Sequence, residues 1–202
     1  MNSPPTKSEL RSQMLKCRRA LTPVYRKQAA KQMSVHALRS HLALRYHHIG
    51  LYLPHGPEIS TVPLMNALLA LGKTVYLPAL PFGQGKQLWF HRIEANQGWY
   101  LNKFGIPENR GTQRIRARQL DVLFMPLVGF DDAGSRIGMG GGYYDASLAY
   151  LHRRHAHLKP YLIGVAFACQ HIAGTLPHDS WDVPLNAILT EQGLRRFVVK
   201  KP

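Results

Sequence analysis

The sequence is short of cysteine, of acid and of long apolar runs, and each shortage closes off a class of function. Only Cys17 and Cys169 occur in 202 residues, and neither stands in a C-x-x-C or other metal-ligand spacing. That argues against both a disulfide framework and a thiolate zinc site. No stretch approaches the roughly eighteen uninterrupted apolar residues of a membrane span. The opening MNSPPTKSELRSQMLK lacks the apolar core of a secretory signal. A cytoplasmic protein away from the membrane is therefore expected. There is no internal repeat, no G-x-S-x-G elbow and no Cys–His nucleophile arrangement. Acid is the scarcest component: 11 Asp+Glu against 26 Lys+Arg leave a formal charge of +15. Such a surface attracts nucleic acid, nucleotides or polycarboxylates without saying which.

What is present suits one domain with a sizeable core, since 45% of the residues are hydrophobic. Residues 1–5 read as disordered. Thr6 and Glu9 form a capping box, and Leu10, Met14, Cys17 and Leu21 recur at helical spacing, so a helix is expected over 6–21. Thr22-Pro23 opens a second helix reaching about Leu44. Strands are expected at His48–Leu53, Thr74–Leu77, Leu88–Ile93, Val122–Val128, Leu162–Phe167 and Ala187–Thr190, with a last edge strand at Arg196–Val199. Helices are expected at Ser60–Leu71 and Tyr144–His155. This alternation predicts an α/β fold: three layers, with a mostly parallel central sheet and helices on both faces. The 95–120 region is left without assignment.

The segment from Asp121 to Tyr150 carries the strongest chemical signal. A buried strand runs into a loop containing Gly134, Gly138, Gly140, Gly141 and Gly142, and a helix follows at once. Converging backbone N–H groups and a helix N-terminus make a phosphate cradle. A tight strand-to-helix turn uses glycine equally well. No G-K-[ST] follows, so the loop is not a Walker motif, and Tyr143 occupies the third glycine of a Rossmann fingerprint. Arg136 before the loop and Asp145 after it favour phosphate with Mg²⁺, because a carboxylate beside polyphosphate needs a metal between them. On the first helix, Lys7, Arg11 and Arg18 project from nearly one stripe, either a solvated basic face or a site for a bridging anion. Glu58 lies in a loop beyond the C-terminal end of a strand, where open α/β sheets bind ligands. Asp182, in Trp181-Asp182-Val183-Pro184, reads equally as a turn residue. His152, His155 and His157 share no helical face and read as a solvated basic end rather than a metal site.

Taken in order, these segments resemble the 5-formyltetrahydrofolate cyclo-ligase (5,10-methenyltetrahydrofolate synthetase) family over nearly the whole chain. Phe130 to Asp145 is similar to its signature, and Lys7-x3-Arg11-x6-Arg18 to its N-terminal basic helix. Glu58-Ile59-Ser60-Thr61, Gly72-Lys73 with Leu77-Pro78, and Phe104-Gly105-Ile106-Pro107-Glu108 resemble further family segments. So does Asp182-x3-Asn186-x3-Thr190-Glu191. The chain departs from some relatives at Met139 and Gly141, where they carry basic residues, and at Asn109, where proline is common.

The resemblance implies an ATP- and Mg²⁺-dependent ligase of folate one-carbon metabolism. It would phosphorylate the formyl oxygen of 5-formyltetrahydrofolate, let N10 attack, and release ADP and phosphate without a covalent enzyme intermediate. On this reading Lys7, Arg11 and Arg136 serve catalysis and, with Gly138, Gly140, Gly141, Gly142 and Tyr144, bind ATP. Leu53, Glu58, Phe104 and Tyr143 bind the folate, and Asp145 and Asp182 hold Mg²⁺. The +15 surface is expected to favour polyglutamylated folate, and a monomer is expected. Two rivals remain at this point. One is a basic nucleic-acid-binding protein, although no helix-turn-helix, zinc-finger or RNA-recognition signature is present. The other is a different phosphate-ligand enzyme of related fold, such as a sugar-phosphate isomerase or CoA transferase.

Overall fold

Helix α1 spans Lys7–Ala20 because its first turn is closed on both sides. The Thr6 hydroxyl accepts from the Glu9 N–H at 3.3 Å, and the Glu9 carboxylate accepts from the Thr6 N–H at 2.8 Å. Helix α2, Pro23–Arg39, starts at the expected Thr22 cap but stops short of Leu44. The Ser40 hydroxyl donates to the Ala37 carbonyl at 2.7 Å, and His41 adopts φ 58°, a left-handed conformation that ends the helix. The computed structural model describes residues 5–41, 45–153 and 159–198, so Leu44, His155, His157 and Val199 lie outside the described residues.

The strands, in chain order, are β1 His48–Gly50, β2 Thr74–Ala79, β3 Trp89–Arg92, β4 Trp99–Leu101, β5 Pro107–Asn109 and β6 Arg114–Ile115. They continue with β7 Val122–Pro126, β8 Gly129–Phe130, β9 Arg136–Ile137, β10 Tyr161–Val165, β11 Ala187–Thr190 and β12 Gly193–Arg196. Helix α3 is Val62–Ala70 and α4 is Tyr143–Leu148. Eight strands form one sheet in the order β12-β11-β10-β7-β1-β2-β3-β6. Its centre, β11 through β2, is parallel, while β12, β3 and β6 add antiparallel edges. The expected α/β architecture is therefore present.

Period-two alternation decides which side chain meets which layer. Ile49, Val75, Val122, Phe124, Ile163 and Leu189 face Ala29, Met33, Leu64 and Leu68 of α2 and α3. Tyr76, Phe90, Leu123, Met125, Leu162 and Ile188 face Leu148 of α4 together with Ala117 and Leu120. Strand β7 is apolar throughout because both of its faces are covered.

Besides the end of α2, four readings change, the first being that the edge strand expected at Arg196–Val199 lies at Gly193–Arg196. The strand at 48–53 is paired only through Gly50, after which the chain leaves the sheet for the Glu58 loop. The helix expected over 144–155 is α-helical only to Leu148, continuing as a 3₁₀ turn to Arg153. The unassigned 95–120 region holds the β4–β5 hairpin, β6 and a 3₁₀ turn at Ala117–Gln119. These strands are two or three residues long, too short for any periodicity to register.

The β8–β9 hairpin turns at Gly134, where φ is +86° and an added Cβ would lie 2.9 Å from the Phe197 ring and 3.0 Å from the Leu185 carbonyl. Gly134→Ala should therefore destabilise the protein by about 1–3 kcal/mol through left-handed strain and crowding. Urea denaturation of wild type and variant tests this; an unchanged midpoint would contradict it.

Candidate active site

The β8–β9 hairpin places Arg136. Buried Asp131 shapes its turn, accepting from the Ala133, Ser135 and Leu176 N–H groups at 2.9, 2.8 and 2.9 Å. Arg136 leaves the turn with its side chain only 7% exposed, donating to the Val183 carbonyl and pairing with Asp145. The exposed glycines 138, 140 and 141 follow, and Gly142 caps α4 in a left-handed conformation with no side-chain cap. Asp145 thus sits in the first turn of α4, held by a cation from the strand before the loop.

Helix α1 crosses the same end of the sheet, and its three basic residues do three different things. Lys7 pairs with Asp179 at 2.6 Å and Asp182 at 2.8 Å. Burial works against its charge, but the two carboxylates outweigh it and leave its pKa above the ordinary value. Asp182 is likewise pulled upward by burial, yet the Asp179 N–H, Lys7 and Arg136 carry it below its usual range. Arg11 donates from Nε to the Gly138 carbonyl at 2.8 Å, fastening α1 to the glycine loop. Arg18 goes elsewhere: it is 4% exposed, 3.8 Å from Glu58 Oε1, and its Nε is buried without a hydrogen-bond partner. The shared stripe read from helical spacing therefore divides, with Arg18 facing the Glu58 loop.

Glu58 is held back into its loop by the His55 N–H at 3.0 Å. Burial raises its pKa; the His55 hydrogen bond and Arg18 only partly offset this. The fully buried Tyr52 donates to the Ile59 carbonyl at 2.8 Å, bracing the loop. Tyr144 is half-buried where it feels both the Glu58 and Arg136 charges, and desolvation raises its pKa. Leu53 is half-buried at the exit of β1, packed against the α2–α3 side of the core. Beside Glu58 a groove of about 460 Å³ is lined by Arg26, Lys27 and Lys31 of α2.

Phe104 arrives on the tip of the β4–β5 hairpin. Asn102 Oδ1 accepts from the Phe104 and Ile106 N–H groups at 2.9 and 3.1 Å, and Gly105 takes φ +73°. The base is fastened by buried Glu108, which accepts from Tyr100, Asn102 and the Leu80 N–H at 2.6, 2.7 and 3.0 Å. The Phe104 ring meets Tyr143 edge-on at 6.0 Å, and the Lys103 ammonium lies 5.2 Å from one ring and 5.8 Å from the other.

One end of the parallel sheet thus gathers a glycine loop, a set of cations, carboxylates beside them and an aromatic pair. The sequence model of the 5-formyltetrahydrofolate cyclo-ligase family matches residues 4–191. The chain belongs to the 5-formyltetrahydrofolate cyclo-ligase family. It is 36% identical over 176 residues to the 5-formyltetrahydrofolate cyclo-ligase of Escherichia coli, covering 86% of this chain and 93% of that protein. Against the Haemophilus influenzae 5-formyltetrahydrofolate cyclo-ligase it is 36% identical over 187 residues, covering 91% and 96%. It is similar in structure to the Aquifex aeolicus 5,10-methenyltetrahydrofolate synthetase, with a TM-score of 0.79 at 29% identity, covering 97% and 95% of the two chains. The Mycoplasma pneumoniae 5,10-methenyltetrahydrofolate synthetase gives a TM-score of 0.70 at 26% identity, covering 92% and 98%.

Within this family member, several motif residues are struts. Asn186 Oδ1 accepts from the Leu162 N–H at 2.7 Å, setting β11 against β10. Glu191 accepts from the Tyr25 hydroxyl at 2.8 Å and ties α2 to the sheet. Asn109, the departure from proline, donates to the Arg92 carbonyl at 2.9 Å and to Gln97 at 2.7 Å, so here it braces the hairpin. Sequence reasoning missed Asp179, Lys103 and Lys86, because nothing local ties them to Lys7, Tyr143 and Gly142.

Arg18→Met should leave Glu58 buried without its cation and push its carboxyl higher still. A raised carboxyl pKa penalises the native state as pH climbs from the ordinary 4.5 through the folded value. Relative to wild type, Arg18→Met should therefore lose stability progressively as pH rises above the ordinary carboxyl value of 4.5, by about 3 kcal/mol once Glu58 is ionised. Arg18→Met/Glu58→Gln should recover much of it. Urea denaturation across pH checks this; a pH-independent difference would contradict it.

Proposed function

We propose that the protein converts 5-formyltetrahydrofolate to 5,10-methenyltetrahydrofolate, using ATP and Mg²⁺ and releasing ADP and phosphate. The observation that carries this reading is the convergence of Lys7, Arg11 and Arg136 with Asp145 and Asp182 around the glycine loop. ATP phosphates would lie along Gly138, Gly140, Gly141 and Gly142, beside Tyr144. Lys7, Arg11 and Arg136 would offset charge as it moves onto the transferred phosphoryl group. The Phe104–Tyr143 pair would offer apolar faces to a pterin, Leu53 would contact the same substrate, and Glu58 would accept from the pterin's N–H edge.

The formyl oxygen attacks the terminal phosphorus of ATP, and ADP leaves. Folate N10 then attacks the activated formyl carbon and loses its proton. The carbon–oxygen bond breaks, and phosphate departs with that oxygen. No side chain of the protein needs to form a covalent bond. What the chain supplies is alignment of two substrates and exclusion of water from the activated carbon.

The donor chemistry at Asp145 and Asp182 suits Mg²⁺. They are hard oxygen donors, and Mg²⁺ takes one or two carboxylates together with substrate phosphates. Asp145 pairs with Arg136 through Oδ1, and Asp182 with Lys7 through Oδ2; the second oxygen of each has no partner among the described residues. Among the described residues no group of three or more His, Cys, Asp or Glu forms a metal cage, so nucleotide phosphates would complete the set. The bound ion would neutralise phosphate charge. Among those residues no helix is long and apolar enough to cross a membrane. We take the working form to be a cytoplasmic monomer. The basic α2 groove and the +15 charge favour folates with polyglutamate tails.

Mixing protein, ATP, Mg²⁺ and 5-formyltetrahydrofolate should produce the methenyl-folate absorbance, and its absence would reject the proposal. Asp182→Asn keeps the Asp179 contact of Lys7 and should raise the Mg²⁺ requirement while leaving stability nearly unchanged. Asp145→Asn should lower kcat roughly hundredfold and also destabilise the protein, because buried Arg136 loses its carboxylate. Near-normal turnover of Asp145→Asn at saturating Mg²⁺ would remove Asp145 from the metal site. Lys7→Ala and Arg11→Ala should each raise the KM for ATP about tenfold, with little change for folate. The double variant should be non-additive. Equal effects on the two substrates would reject the pairing.

A further inference from the structure

Each cation named above at the glycine loop is already engaged: Lys7 by two aspartates, Arg136 by Asp145 and Val183, Arg11 by Gly138. Lys86 is the exception. It belongs to the loop joining β2 to β3, and its ammonium lies 3.8 Å from where a Cβ on Gly142 would stand. Among the described residues it meets no carboxylate and no hydrogen-bond acceptor. Its position is built rather than accidental. Arg116 donates to the Gln87 and Leu88 carbonyls at 3.0 and 3.2 Å, with its guanidinium 3.4 Å from the Trp89 ring centroid. From the other side, the Leu88 N–H donates to Ser147 at 2.8 Å, and Ser147 donates to the Tyr143 carbonyl at 2.6 Å. The backbone just past Lys86 is thus pinned both to the sheet edge and to the helix that the glycine loop opens. The base of the arm is fixed while its charged tip is unpaired.

We infer that Lys86 is a phosphate-binding residue, reaching from the β2–β3 loop onto the glycine loop to contact the polyphosphate of the bound nucleotide. The inference rests on the nucleotide reading above and adds a residue to it. An unpaired cation gives up no existing ion pair when an anion arrives, whereas Lys7 and Arg136 must share theirs with Asp179, Asp182 and Asp145. Arg114 and Arg116 extend the positive field, lining with Lys86 and Trp89 a pocket of about 300 Å³ under the β2–β3 loop. A compact ammonium on a flexible stem suits a phosphate oxygen as a point charge, without bidentate geometry.

The test is equilibrium binding of a non-hydrolysable ATP analogue with Mg²⁺, and of AMP, to wild type, Lys86→Ala and Lys86→Arg, with steady-state kinetics alongside. Lys86→Ala should weaken the analogue about tenfold, leave AMP and the KM for folate unchanged, and flatten the salt dependence of analogue binding. Lys86→Arg should restore most of the affinity, and thermal unfolding of all three proteins should coincide. If wild type binds the analogue and Lys86→Ala binds it equally well, this inference alone falls. Equal weakening of analogue and AMP, or a matching rise in the folate KM, overturns it too. If wild type binds no nucleotide at all, the nucleotide reading falls and takes this inference with it.

Discussion

The pairing of Arg136 with Asp145 is the contact on which the rest of this edge depends. A guanidinium 7% exposed needs an anion and an acceptor beside it, because water no longer solvates it. Asp145 supplies the charge from α4, and the Val183 carbonyl supplies the acceptor from the C-terminal loop. One side chain therefore ties together the β8–β9 hairpin, the glycine loop and the segment carrying Asp179 and Asp182. Burial draws the Arg136 pKa below its ordinary value against the pull of Asp145 and Asp182. The charge is held by geometry at a cost in desolvation.

Arg18 and Glu58 repeat the arrangement on the other flank with a looser fit. Their closest approach is 3.8 Å, and Arg18 Nε has no partner. Burial works against both charges, and each partly offsets that cost for the other. Tyr144 feels the charges of both Glu58 and Arg136. Beside it, the Phe104 and Tyr143 rings meet edge-on.

The layered core makes these edges rigid. Alternation along β1, β2, β7, β10 and β11 sends one set of side chains to α2 and α3 and the other to α4, so helices and sheet cannot slide by one residue without exposing a face. Polar struts finish the loops: buried Asp131 in the hairpin turn, buried Glu108 under the Phe104 loop and half-buried Asn186 between β10 and β11. Each accepts backbone N–H donors that the sheet leaves unpaired.

Patterns that depend on near neighbours were legible in the chain itself. The Thr6–Glu9 box, the Thr22-Pro23 cap, the doubly covered β7 and the strand–glycine–helix passage all act within a few residues, so composition and spacing suffice to read them. The order of the motifs along the chain was enough to point to the family. The short strands between 95 and 120 were not legible, because two or three residues carry no period. Nor were the charge partners. Lys7 and Asp182 are 175 residues apart, Arg18 and Glu58 are brought together from different elements, and Lys86 meets Gly142 only because Ser147 and Arg116 pin its loop. Coulombic and hydrogen-bond partners are chosen by distance in space. The sequence could therefore name Lys7, Arg11, Arg136, Asp145 and Asp182, but only the tertiary fold decided which charges are paired and which, such as Lys86, meet no partner among the described residues.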